Sequence, residues 1–188
     1  MELIDAIIQR RTARSFISKE IPEDVLYSIL EAGTWAPSHS NNQPWEFILI
    51  GAETRNRLRE MYAAYMEAGP LKNPELEQER KQGIRLFIQN FGNAPVLLAV
   101  SSLPAQTELD KYDFPLATAA AIQNILLAAW EQQIAGVWLS FGMNPQAEQL
   151  LQIPEHGKVA GIIALGYPEF IPQAQERTPV AEKIRRLP

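Results

Sequence analysis

Cysteine is absent from this chain of 188 residues. Disulfides, thiolate metal sites and a cysteine nucleophile are therefore excluded. Histidine is scarce as well, since His39 and His156 are the two in the chain. Structural and catalytic zinc sites are usually built from several histidines or cysteines, so we expect no metal site.

The chain also lacks an excess of positive charge. Its formal net charge is -5, and its sequence pI is about 5.2. Binding to nucleic acid or to an anionic membrane surface requires a dominant positive field. We therefore expect neither partner, and any site for an anion must be local.

No apolar run is long enough to cross a bilayer. The longest, residues 116–130, contains Gln123 and Asn124 and is shorter than the roughly 20 residues that a spanning helix needs. The first residues, MELIDAIIQRRTARSF, place apolar side chains before the arginines, which is the reverse of a secretory signal. We predict a cytoplasmic protein.

The composition is typical of a globular protein, with 46% hydrophobic and 21% charged residues. The length predicts one domain over residues 1–188. Residues 167–188 contain four of the fourteen prolines and little that could form a core. This segment is either an ordered extended arm on another surface or a frayed end.

Hydrophobic periodicity and turn residues predict the helices. Pro22 begins the second helix, and Gly33 is its candidate C-cap. The segment 116–133 is apolar on almost every face, so it is either central or part of an interface. The predicted helices are residues 2–9, 22–33, 53–66, 75–90, 116–133 and a short helix ending at Leu151.

Aromatic and β-branched runs predict the strands. Residues 45–50 are expected to form a buried strand, followed by strands at 96–101 and 159–166. Residues 136–142 are a strand or a loop. Helices and a few strands in mixed order favour an α+β fold with a central sheet.

Three arginines stand out in the sequence RRTAR, at positions 10, 11 and 14, with Thr12 among them. Guanidinium groups and a hydroxyl are the donors best suited to a phosphate dianion. Solvated surface arginines are the alternative explanation.

The polar loop APSHSNNQPW, residues 36–45, has prolines near both ends. Its Ser, Asn and Gln side chains offer donors and acceptors for a heteroaromatic edge, although the same residues are common in ordinary turns. In GVWLSFG, Trp138 and Phe141 either pack on a planar ring or fill the core. Hydrolase, nucleotide triphosphatase and Rossmann motifs are not found.

In their order along the chain, these segments resemble the nitroreductase family of flavoproteins. The resemblance rests on RRTARSF, APSHSNNQPWEFILI, NAPVLLAV, DFPLATAAAIQNILLAAWEQQIAGVW and GIIALGYPE. It implies an α+β fold with a central mixed, mostly antiparallel sheet flanked by helices. It also implies an intertwined homodimer that binds FMN at the subunit interface.

The resemblance assigns site residues by position. Arg10 and Thr12 would hold the FMN phosphate, with Arg11 beside them, Arg14 directed toward the flavin ring and Arg177 returning to the phosphate. The other positions form two groups: Pro37, Ser38, His39 and Asn41 match the loop that reaches the partner's flavin, and Trp138, Leu139 and Ser140 match the segment beside the ring.

The chain departs from the family at two places. His39 stands where many members have a small residue, and the approach Ile134-Ala135-Gly136 is less glycine-rich than is common.

The implied activity is a ping-pong transfer of hydride from NADH or NADPH, through FMN, to a small acceptor such as a nitroaromatic or a quinone. The cofactor performs that chemistry, so no side chain is predicted to be catalytic. A non-catalytic FMN-binding protein and a different flavin redox reaction are the alternatives.

Overall fold

The computed structural model describes residues 1–187. Six α-helices and four strands form the framework. The helices are α1 (Leu3–Gln9), α2 (Glu23–Thr34), α3 (Ala52–Ala68), α4 (Gln78–Asn90), α5 (Glu108–Glu131) and α6 (Pro145–Leu150). The strands are β1 (Trp45–Leu49), β2 (Val96–Ser102), β3 (Ala135–Leu139) and β4 (Lys158–Gly166).

The four strands form one antiparallel sheet in the order β1-β2-β4-β3. The two central strands are covered on both faces, because successive residues alternate between two hydrophobic clusters. In β2, Leu97 packs with α3, α4 and α6 on one face, and Leu98 packs with α2 and α5 on the other. This burial explains why β2 and β4 are continuous apolar runs rather than alternating ones.

The predicted α+β fold with a mostly antiparallel sheet is confirmed. In residues 1–187 a parallel pairing occurs at an isolated bridge, between Thr12 and Gly136. The expectation that the strand at residues 45–50 is buried was wrong in part. Because β1 is an edge strand, Glu46 and Leu49 are exposed while Trp45 is buried.

Helix α5 begins at Glu108, eight residues before the predicted start. A capping box fixes this start: the Thr107 hydroxyl accepts from the Asp110 N–H at 3.1 Å, and the Asp110 carboxylate accepts from the Thr107 N–H at 2.9 Å. Such reciprocal bonds satisfy two backbone donors of the first turn. Pro115 therefore lies inside the helix instead of before it.

Gly33 is not the C-cap of α2, because the helix continues to Thr34. A Cβ at Gly33 would lie 2.8 Å from Ile125 Cγ1 and 3.0 Å from Phe47 Cζ. Glycine is required here by the close approach of α2 to α5, not by a left-handed backbone.

The residues after β4 form an extended arm, attached at its start to the RRTARSF segment. The Ile17 N–H donates to the Tyr167 carbonyl, and the Glu169 N–H donates to the Ser15 carbonyl, both at 3.0 Å. The Lys19 ammonium lies 3.8 Å from the centre of the Tyr167 ring. Beyond this attachment the arm is mostly exposed, including Ile171, Val180 and Ile184.

Candidate functional site

Arg177, from the distant arm, lies close to the adjacent Arg10 and Arg11 at the end of α1. Burial, followed by the charge of Arg11 and then that of Arg177, lowers the pKa of Arg10. The charges of Arg11 and Arg177 therefore lie close enough to act on the Arg10 guanidinium. Within residues 1–187, none of the three forms an ion pair with a carboxylate. The cluster therefore concentrates positive charge that no described acidic side chain neutralises by direct contact.

The guanidinium of Arg11 is already engaged by the backbone. Its Nη1 donates to the carbonyl of Ile8 at 2.7 Å and to that of Arg10 at 2.9 Å. These carbonyls lie at the C-terminal end of α1, where backbone acceptors lack helical partners. Arg11 thus closes the helix and adds charge to the cluster, while Arg10 and Arg177 have no such bond among those described.

The RRTAR segment meets the outer edge of β3 at one point, where Thr12 forms an isolated parallel bridge with Gly136. Burial raises the pKa of Tyr62, the charge of Arg14 opposes that rise, and Tyr65 adds to it. The exposed Arg14 guanidinium accordingly lies within electrostatic reach of Tyr62.

A cavity of about 450 Å³ opens beside the end of β3. Aromatic rings form much of its wall: the Tyr62 ring is 5.2 Å from that of Phe141, and the Tyr65 ring is 5.6 Å from it, centroid to centroid. The lining residues are Tyr62, Tyr65, Met66, Pro70, Trp138, Leu139, Ser140, Phe141, Met143 and Asn144.

The two aromatic residues of GVWLSFG have different surroundings. Phe141 is buried and fills the core, as expected of most aromatic side chains. Trp138 is 37% exposed, and its indole Nε1 donates to the Ala160 carbonyl at 3.0 Å. Trp138 therefore presents a fixed ring to the cavity, and Leu139 beside it is buried.

The loop before β1 is built from an unusual run of backbone conformations. Ser40, Asn41 and Gln43 all have positive φ, at 49°, 56° and 45°. The Ser38 hydroxyl accepts from the Gln43 N–H at 3.0 Å and ties the loop together. Asn tolerates the left-handed region better than most residues, which fits the sequence SNNQ.

His39 lies opposite a carboxylate of α5. Its Nδ1 is 4.0 Å from Asp113 Oδ2. The two residues line a cavity of about 340 Å³. The other lining residues are Pro37 and Ser38 of the loop and Leu116, Ala117 and Ala120 of α5. This cavity is open at the protein surface, and His39 itself is exposed.

The loop and the RRTAR segment lie at opposite edges of the sheet. The loop enters β1, whereas Thr12 flanks β3. Four spacings of about 4.8 Å separate them, or about 20 Å. A single chain therefore does not bring the loop to the arginines.

The profile of the Nitroreductase family matches residues 7–167, most of the chain. The chain belongs to the nitroreductase family.

Relatives of this nitroreductase-family chain include YfhC of Bacillus subtilis, which bears the name of an NAD(P)H nitroreductase. The two are 30% identical over 188 residues, covering 98% of this chain and 94% of YfhC. A nitroreductase-like family protein of Bacillus cereus has the same fold, with a TM-score of 0.79, 27% identity and coverage of 100% and 96%. The NADPH:FMN oxidoreductase of Vibrio harveyi, solved with NAD⁺, has a TM-score of 0.77, 21% identity and coverage of 98% and 76%.

Two groups of predicted site residues emerge from the nitroreductase structure. One group comes from the RRTAR segment, the end of β3 and the arm: Arg10, Arg11, Thr12, Arg14, Trp138, Leu139, Ser140 and Arg177. The other is the β1 loop, with Pro37, Ser38, His39 and Asn41. Their roles stay predictions.

Tyr62, Tyr65 and Asp113 were not identified from the sequence. The tyrosines are three residues apart on α3, so they share a helix face, and this spacing is the signal that could have found them. Asp113 carries no such signal, because its contact with His39 depends on how α5 packs beside the loop.

Two kinds of feature were not found in the described part of the chain. Residues 1–187 contain no group of three or more metal-ligating side chains. None of their helices is both long and apolar enough to cross a membrane.

Proposed function

We propose that this chain is an FMN-dependent oxidoreductase that takes hydride from NADH or NADPH and passes it to a small organic acceptor in a ping-pong reaction. The observation that carries the proposal is a cluster of arginines, unpaired with acid, that a short chain segment joins to an aromatic cavity. Nitroaromatics and quinones are the acceptors that we expect.

The arginine cluster fits the phosphate of FMN. Holding like charges together costs free energy unless an anion compensates them, and a phosphate dianion accepts several charge-assisted hydrogen bonds. Arg10 and Arg177 supply guanidinium donors, and Thr12 supplies a hydroxyl. This set of donors explains how an acidic chain can bind an anion locally.

The cavity beside β3 fits a planar ring. Arg14 is four positions after Arg10, and an extended chain covers at most about 14 Å over that length. The segment therefore leads from a phosphate site to a ring site within one ligand's reach. Bound FMN supplies the hydride-transfer chemistry. The Arg14 cation would stabilise negative charge that develops on the ring, and Trp138, Leu139 and Ser140 would lie beside it.

The names of the relatives support the same chemistry. YfhC is named for NAD(P)H nitroreductase activity, and the Vibrio harveyi protein is an NADPH:FMN oxidoreductase. The first supports NADH or NADPH as the hydride donor, and the second supports FMN.

A homodimer would complete the site. The loop with Pro37, Ser38, His39 and Asn41 lies too far from the arginines of its own chain, so we propose that it reaches the partner's cofactor. The chain also leaves large apolar side chains uncovered along α1 and the arm, as an obligate interface would require. These exposed residues are Leu3, Ile4, Ile7, Ile8, Ile171, Val180 and Ile184.

The domain organisation is part of the proposal. Residues 1–188 would form one FMN-binding domain, with residues 167–188 as an arm that lies on the partner. The cytoplasm remains our prediction for its location.

Cofactor release and anaerobic reduction test the function. The purified protein is heated, and the released ligand is identified by mass; we expect FMN. The yellow protein is then mixed with NADPH or NADH without oxygen, and we expect bleaching, followed by return of the colour when a quinone is added.

The alternatives give different results. FMN that neither nucleotide bleaches would favour a non-catalytic flavin-binding protein. Bleaching without reoxidation by nitroaromatics or quinones would favour another flavin redox reaction. A protein that binds no FMN, even at excess, would contradict the proposal.

A further inference from the structure

We propose that His39, held opposite Asp113, donates the proton that the acceptor needs when it is reduced. This inference rests on the proposed function, and it identifies His39 as the proton donor in the loop. It concerns a residue whose side chain is exposed and lies beside a carboxylate.

The reaction requires a proton as well as a hydride. A quinone becomes a hydroquinone by taking one hydride and one proton. A nitro group becomes a nitroso group and water by taking the same pair. The hydride comes from the reduced cofactor, the imidazolium N–H bond breaks, and an O–H bond forms on the acceptor. The imidazole then regains its proton from water.

The described groups that would share the proposed two-chain site with His39 are poor donors at neutral pH. Arginine does not release a proton in proteins, which excludes Arg10 and Arg14. Burial raises the pKa of Tyr62, although the charge of Arg14 opposes the rise. The Tyr62 phenol therefore retains its proton. Histidine is the side chain whose ordinary titration range includes neutral pH.

The position of His39 suits the role. Nδ1 lies 4.0 Å from Asp113 Oδ2, so the other ring nitrogen, Nε2, is on the opposite side of the imidazole. The Asp113 carboxylate therefore faces one edge of the ring, and the Nε2 edge is turned away from it. Asp110, one turn earlier on α5, is a second acid near His39. The hydrogen bond with the Thr107 side chain is the main cause that lowers the pKa of Asp110, and the charge of His39 is a smaller cause in the same direction.

A short turn fixes the backbone at His39. The Asn42 N–H donates to the His39 carbonyl at 3.0 Å, and the Asn41 N–H donates to the Ser38 carbonyl at 3.1 Å. These bonds close a short 3₁₀ turn over His39–Asn41. The side chain thus projects from a constrained turn, as a donor that must meet an acceptor requires.

Two acceptors separate proton transfer from electron transfer. Ferricyanide accepts electrons without a proton, whereas menadione, a quinone, needs both. We expect the ratio of the menadione rate to the ferricyanide rate to fall at least tenfold in His39→Gln, since general acids contribute about 10²-fold or more. This ratio cancels any change in the amount of bound cofactor. His156→Gln is the matched control, because His156 is exposed and lies 3.8 Å from Glu155.

Asp113 is a positioning residue in this proposal. Asp113→Asn should lower the same ratio, and Asp113→Glu should restore part of it.

A chemical footprint gives a readout that does not depend on turnover. Diethyl pyrocarbonate acylates histidine, and mass spectrometry separates the peptides of His39 and His156. Menadione added to the oxidised FMN protein should protect His39 and leave His156 unchanged.

The outcomes distinguish the two levels of inference. An unchanged rate ratio in His39→Gln, in protein that NADPH bleaches normally, overturns the proton donor and leaves the proposed function standing. Equal acylation of His39 with and without menadione also overturns it. If the native protein binds no FMN, or is not bleached by either nucleotide, the proposed function fails and the proton donor fails with it.

Discussion

Gly161 lies directly under the indole of Trp138: a Cβ at Gly161 would be 2.0 Å from Nε1 and 2.4 Å from Cδ1. The neighbouring carbonyl of Ala160 accepts the indole N–H. Because Gly161 has no side chain, β4 can hold the Trp138 ring of the neighbouring strand β3 against the cavity.

We expect Gly161→Ala to displace Trp138 and break its hydrogen bond. Overpacking of this kind costs about 1 to 3 kcal/mol of stability, and FMN binding should weaken because the cavity wall moves. Thermal unfolding measures the loss of stability. Tryptophan fluorescence reports the displaced indole, and its quenching on titration with FMN measures the binding. Gly83→Ala in α4 is the control, since its Cβ would meet nothing within 4 Å, and it should stabilise the protein by up to about 1 kcal/mol.

Arg10→Ala should weaken FMN binding at least tenfold. A charge-assisted hydrogen bond contributes about 1.5 to 3 kcal/mol, which corresponds to a factor of about 10 or more in affinity. Arg80→Ala, at an exposed position of α4, is the matched loss of charge. Fluorescence titration of the apoprotein gives both constants; equal losses would mean that the cluster does not contact the phosphate.

Mixed dimers test whether two chains share each site. One subunit carries Arg10→Ala, and the other carries Ser38→Ala with Asn41→Ala. If the loop serves the partner's cofactor, one site collects all the changes and the other is intact, so the mixed dimer should bind about one FMN. Two damaged sites, each with weak binding, would place the loop in its own chain's site. Co-expression with two affinity tags isolates the mixed dimer.

Tyr62 should ionise later than an ordinary tyrosine. Because burial raises its pKa against the opposing charge of Arg14, the folded state favours the neutral phenol. This contribution to stability is present below about pH 10 and is lost as pH rises through the raised pKa. Absorbance at 295 nm should show a late-titrating tyrosine in the folded apoprotein. Tyr62→Phe should remove it, whereas Tyr27→Phe, at an exposed position, should not.

Much of the fold could be predicted from local pattern. The strands β2 and β4 are continuous apolar runs. Such runs predict central strands with helices covering both faces of the sheet. The start of α5 was missed because Pro115 suggests a helix start, and the capping box at Thr107 outweighs that suggestion. Gly33 was misassigned because a glycine required by close packing has the same sequence appearance as one that ends a helix.

The candidate site could be predicted where it depends on local sequence, and its roles stay predictions. RRTAR and the loop before β1 are short segments whose donors are visible in the sequence. Tyr62 and Asp113 were not, since their positions depend on how α3 and α5 pack on the sheet. The approach of Arg177 to Arg10 depends on the path of the arm. No local pattern in the sequence predicts that path, and only the family resemblance pointed to Arg177.

The bridge between Thr12 and Gly136 has a consequence for aggregation. Strand β3 is at the edge of the sheet, and an uncovered strand edge is a template on which other chains can add. Thr12 pairs with that edge at Gly136, and the flanking arginines bring charge beside it. A truncation that removes this segment should therefore produce a protein that self-associates through β3, and it would also remove the arginines of the proposed anion site.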